Sequence, residues 1–97
     1  MIVRYHELAS REVIETTKYY AELRDGLGAE FRQELDGIVD MIAEEPLRFE
    51  QVRPGIRRCL LSRFPYGIYY RILDAELVQI VVVKHHSRRP GYGMQRK

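Results

Sequence analysis

Arg57–Ile72, RRCLLSRFPYGIYYRI, and Val81–Tyr92, VVVKHHSRRPGY, decide how this chain is read. Three β-rich runs emerge around them: Ile56 to Phe64, Gly67 to Leu73 and Leu77 to His85. They are separated by Pro65-Tyr66 and by Asp74-Ala75-Glu76, connections short enough for antiparallel hairpins. Strand alternation in the second run sets Ile68, Tyr70 and Ile72 against Tyr69, Arg71 and Leu73, and the first set is the better core face. In the first run Arg57, Cys59, Leu61 and Arg63 oppose Ile56, Arg58, Leu60, Ser62 and Phe64. Adjacent Leu60 and Leu61 leave that choice of face open.

Toward the N-terminus, Ile2 to Tyr5 reads as an opening strand. Ser10 offers a helix cap, with Glu12 in the first turn, and Val13, Ile14, Thr17, Tyr20 and Ala21 recur at helical spacing. Asp25-Gly26-Leu27-Gly28 breaks that helix. A second begins near Ala29, with Phe31, Leu35, Ile38, Val39 and Ile42 as its apolar stripe, and ends by Glu45 because Pro46 disfavours the helical conformation of its predecessor. Phe49 to Arg53 is a short strand candidate and Pro54-Gly55 a turn. The expected fold is α+β, β-α-α-β-β-β, a helical hairpin packed on a twisted antiparallel sheet. Residues 1–97 form one domain, and 91–97 read as a loose basic tail.

A chain of 97 residues with 45% hydrophobic and 31% charged residues has ordinary globular composition. It has room for one core that buries roughly two thirds of the unfolded surface. The single Cys59 rules out an internal disulfide framework and a cysteine-rich metal site. The longest aliphatic run, Ile80–Val83, is too short to span a bilayer. The expectation is a cytoplasmic protein with no membrane partner. The net charge of +2 hides a separation: residues 1–51 carry 6 Lys and Arg against 12 Asp and Glu, whereas residues 52–97 carry 10 against 2. A basic side of this kind suits nucleic acid or an acidic protein segment, although a solvated surface beside an acidic helical layer gives the same counts.

His85 and His86 invite a metal reading. Adjacent residues at a strand end point apart, however, and no Cys, Asp or Glu lies nearby to complete a ligand set. Neither a metal nor a cofactor is expected. Next to Arg88 and Arg89 an imidazole could serve as acid or base beside a phosphate, or simply pack at the strand end.

The paired Arg57-Arg58, the RFPY turn, the IYYRI strand and the H-x-x-R-x-P of His85, Arg88 and Pro90 resemble the ParE/RelE superfamily of bacterial toxins, over nearly the whole chain. The resemblance implies the toxin of a type II toxin–antitoxin pair, neutralised by a small antitoxin, ParD-like or similar. ParE-like members poison DNA gyrase; RelE-like members cut messenger RNA on the ribosome. RelE-like nucleases commonly carry an arginine after the aromatic that opens the strand matching Tyr66 to Arg71, where this chain has Gly67. A phosphate stabiliser worth about 2–4 kcal/mol is thereby missing. The ParE-like branch, a gyrase inhibitor rather than an enzyme, is the expectation. Its binding residues toward antitoxin or target would be Arg57, Arg58, Arg63, Tyr69, Arg71, His85, Arg88 and Arg89. The alternative is a ribosome-dependent endoribonuclease with Arg63, His86, Arg88 and Tyr92 in catalytic positions. A second alternative is a non-toxic member retained for antitoxin binding or autoregulation.

Overall fold

The computed structural model describes residues 1–97. The order is β1 (Ile2–Tyr5), α1 (Glu7–Leu23), α2 (Leu27–Glu44), β2 (Gln51–Arg53), β3 (Ile56–Leu60), β4 (Tyr66–Ile72) and β5 (Leu77–His85). The five strands form one sheet in the order β1-β5-β4-β3-β2. The expected α+β architecture is present, with two differences: the short candidate strand is a real one, β2, giving four strands after the helices, and the sheet is mixed, because β1 runs parallel to β5 while the other pairs are antiparallel. Strand direction depends on where the helical hairpin returns the chain, which local pattern does not encode. No helix is long and apolar enough to cross a membrane.

Helix α1 starts three residues before the expected cap. His6 caps it, its Nδ1 accepting from Leu8 N at 3.0 Å, and Ser10 lies inside the helix. The buried stripe is Ala9, Val13 and Thr16, with Tyr20 half-buried, while Ile14 is exposed. This stripe of small residues lets the helices approach closely. A Cβ on Gly28 would stand 2.6 Å from Thr17 O, so only glycine fits where α2 crosses α1. Gly26, at φ 84, turns the chain between the helices in a left-handed conformation that the next helix uses as its N-cap.

The inner face of the sheet carries the main core. Phe31, Leu35, Ile38 and Ile42 from α2 pack on Cys59, Ile68, Tyr70, Val78, Ile80 and Val83. Tyr70 is fully buried and donates to Pro46 O at 2.6 Å, which ties the end of the hairpin to the sheet; burial pushes its phenol up to about 12. Arg57 also lies on this side, donating to Phe49 O at 2.7 Å and so holding the segment that leads into β2.

An irregularity in β5 decides what the two faces carry. Tyr69 pairs with Val82, but Tyr70 pairs with Ile80, leaving Val81 as an extra residue. Unbroken alternation would align Val78, Ile80, Val82 and Lys84 on one face. With the bulge, Val78, Ile80, Val83 and His85 face the helices, and Gln79, Val81, Val82 and Lys84 face outward. A lysine that would have entered the main core is moved to the opposite side.

The outer face is covered by the C-terminal segment, expected to be a loose tail but folded back across the sheet. Met94 is 6% exposed and packs with Ile56, Tyr69, Val81 and Val82. Arg71 donates to Arg96 O at 2.7 Å, and Arg96 donates to Val81 O at 3.0 Å. Arg96 also forms a two-pronged pair with Glu12 of α1 at 2.9 and 2.8 Å, and Glu12 accepts from Val83 N at 3.0 Å. These side chains satisfy the β5 edge beyond the point where β1 ends, where backbone groups would otherwise lack partners.

Candidate functional site

The bulge brings cations together on the outer face. A cleft of about 310 Å³ is lined by Arg58, Leu60, Tyr69, Lys84, His86, Arg88 and Pro90. Its base is organised by strand register: Leu60, Gly67 and Lys84 form one cross-strand row, and Arg58, Tyr69 and Val82 the next. Gly67 leaves a gap into which Tyr69 leans. A Cβ there would sit 3.1 Å from both Leu60 Cδ2 and Tyr69 Cε1, and 3.4 Å from the Tyr69 hydroxyl. The bare glycine is therefore part of how the aromatic packs, and a larger residue would have to displace it.

Lys84 is the most constrained of these cations. It is 5% exposed, donates to Arg89 O at 3.0 Å and Pro90 O at 2.8 Å, and lies 4.8 Å from the Tyr69 ring centroid. Burial pushes its pKa below the usual lysine value, and the charges of Arg53, Arg58 and Arg89 push in the same direction against the weaker opposing pull of Glu12. No carboxylate pairs with it. Sequence reasoning passed over this residue, since its place on the outer face depends on the bulge and not on alternation.

The residues singled out from sequence fall into several groups. Arg58, Tyr69 and Arg88 line the cleft, as does His86. Arg58 pairs with Glu50, and Arg88 stacks on Tyr92 with 4.7 Å between guanidinium carbon and ring centroid. Tyr92 also lies 5.3 Å from Arg96, making it part of the fold-back rather than of the cleft wall. Arg89 contributes its carbonyl to Lys84. Arg71 is occupied with the C-terminal backbone, and Arg57 faces the helices.

His85 is on the inner side, edge-on to Tyr66 at 5.2 Å. Tyr66 in turn joins an aromatic cluster with Tyr20, Phe31 and Phe64. The Nδ1 of His85 accepts from Ser87 N at 2.9 Å, so this ring closes the strand end by packing and hydrogen bonding. Arg63 is elsewhere again, in the exposed turn after β3, where it pairs with Glu30. Glu34 fastens the same turn by accepting from Ser62 N, Ser62 Oγ and Arg63 N at 2.6, 2.8 and 3.2 Å. Of the four positions of the nuclease alternative, His86 and Arg88 share the cleft and Tyr92 stacks on Arg88 beside it, whereas Arg63 is on a separate turn.

A family model for the ParE toxin of type II toxin–antitoxin systems, parDE, matches residues 3–90. This chain belongs to the ParE toxin family. The match runs from Val3 in β1 through Pro90, and so touches every strand of the sheet and includes all of the cleft lining. Among solved structures, a chain of the chromosomal ParDE toxin–antitoxin system from P. aeruginosa is similar at 17% identity, with a TM-score of 0.72, covering 88% of this chain and 95% of that one. At that identity the structural likeness speaks for the ParE fold alone. No curated protein matches the sequence.

Proposed function

We propose that this ParE-family chain arrests growth by poisoning DNA gyrase and is held inactive by a cognate ParD-like antitoxin. The observation that carries the gyrase reading is Gly67 beneath Tyr69: the place where a nuclease of the wider superfamily would carry a phosphate-stabilising arginine is filled by an aromatic ring. The separation of Arg63 from His86 and Arg88 supports the same choice, since acid–base cleavage needs its groups within hydrogen-bond reach of one phosphodiester. An antitoxin partner is supported by Leu8, Tyr19 and Leu23 of α1, exposed apolar residues whose spacing puts them on one stripe of the helix.

The deciding experiment places purified toxin in gyrase supercoiling and DNA-cleavage reactions, beside primer extension on messenger RNA translated in its presence. Trapped gyrase–DNA cleavage complexes with intact message are the expected result. Codon-associated cuts in the message with normal gyrase would overturn it. Growth arrest on expression, relieved by the antitoxin, separates both from a non-toxic binding protein.

A further inference from the structure

We propose that the outer cleft binds the phosphodiester backbone of a nucleic-acid strand. The inference goes beyond the gyrase reading, because it concerns what the cleft itself contacts.

Its basis is a local excess of positive charge that the protein does not neutralise. Some cations elsewhere are paired, Arg24 and Arg63 with Glu30, Arg32 with Asp36 and Arg96 with Glu12, whereas the cleft gathers Arg58, Lys84 and Arg88 on one surface. In the cleft only Arg58 has a carboxylate, that of Glu50, whose side chain is 64% exposed and so the weaker for it. Lys84 is tied to two carbonyls and a ring, and Arg88 to a ring. An ammonium has three N–H donors, and two carbonyls use only two of them.

Burial fixes Lys84 before any ligand arrives. Lys84 cannot swing out to solvent because the 89–90 backbone clamps it, and Arg53, Arg58 and Arg89 bear on it electrostatically. Bringing an anion into the cleft would relieve that mutual repulsion, as a neutral ligand would not. Leu60, exposed despite its size, and Pro90 give an apolar rim beside the charges. A phosphate flanked by sugar presents that combination of anion and apolar surface. Most of the acidic residues lie in and around the helices on the other side of the sheet; Glu12, paired with Arg96, and Glu50, paired with Arg58, are the carboxylates that reach toward the outer face.

The test is fluorescence anisotropy with the full chain and short labelled oligonucleotides, as single-stranded DNA, RNA and duplex DNA, between about 50 and 200 mM salt. The wild type should bind at least one of them, with affinity falling as salt rises; the tightest arm identifies the strand type. R58Q/R88Q should weaken binding at least ten-fold and reduce the salt slope by about one for each contact removed. Lys84→Gln, checked for an unchanged circular dichroism spectrum, should do likewise. Arg32→Gln, on α2, should leave binding as it was. The proposal is overturned if no oligonucleotide binds at the lowest salt, if R58Q/R88Q binds as well as the wild type, or if a poly-glutamate peptide displaces the oligonucleotide at equal concentration. No gyrase is present, so a negative result here and a negative supercoiling result remain distinguishable.

Discussion

The two faces of the sheet are stabilised by different physics. On the inner face, fourteen buried residues from helices, strands and the loop after β3 form one continuous apolar cluster. On the outer face only five do, and much of the cover is a seven-residue segment tied down by Arg71, Arg96 and Gln79 through backbone carbonyls and by Glu12 through a charge pair. The inner side is held mainly by apolar burial. The outer side is too small for that and depends on directional bonds, which leaves cations unsatisfied beside it. The larger apolar core thus lies on one face and the cation-lined cleft on the other.

Five substitutions probe that contrast. Phe31→Ala opens a cavity in the middle of the inner cluster and removes the ring that bridges Tyr20, Phe64 and Tyr66; denaturant unfolding should show a loss of about 4 kcal/mol. Arg96→Met keeps the aliphatic stem but strands Glu12, whose side chain is 18% exposed, and frees Val81 O. A loss of about 3 kcal/mol is expected, with new protease sensitivity confined to residues 91–97. If Arg96→Met cost nothing, the fold-back would not be held by that pair. Met94→Ala should cost about 2 kcal/mol, the low end for a buried methionine, because its cluster is small and can relax.

Gly67→Ala should cost about 1 kcal/mol, read from the denaturant midpoint, with a displaced Tyr69 ring signal by nuclear magnetic resonance. An unmoved ring would mean the glycine is not what seats it. The smallest effect concerns Glu34. Burial alone would raise its pKa, but the donors from Ser62 and Arg63 hold it below its ordinary 4.5. A carboxyl so depressed adds stability above its unfolded pKa and loses it as pH falls through the folded value. Glu34→Gln should therefore be less stable than wild type at neutral pH, by less than about 1 kcal/mol, and the gap should close in acid below 4.5. A gap that persisted in acid would show that the amide, not the lost charge, is at fault.

Much of the inner face was legible because it is written in local periodicity. The stripe of α2, the stop before Pro46 and the bounds of β5 are each set by residues within a few positions of one another. The stripe of α1 was read one step off. Ile14 and Ala21 fit the helical period but are exposed, and the helix buries Ala9 and Thr16 beside Val13. Family motifs drew attention to Arg58, Tyr69 and Arg88, yet grouped them with Arg57, Arg63 and His85, which the fold sends elsewhere. A list of basic residues in one stretch of sequence carries no information about which side of a sheet each will face once a bulge intervenes.

The sequence by itself determined the element order, the helical hairpin, the core face of β4 and the concentration of positive charge in residues 52–97, because propensity, hydrophobic period and charge count are properties of near neighbours. Only the tertiary structure decided that β1 runs parallel to β5, that the bulge at Val81 turns Lys84 outward, and that 91–97 lies across the sheet. Each rests on partners far apart in the chain, as far as the 84 residues between Glu12 and Arg96. Contacts of that separation are chosen by the packing of the whole molecule, and no local pattern encodes them.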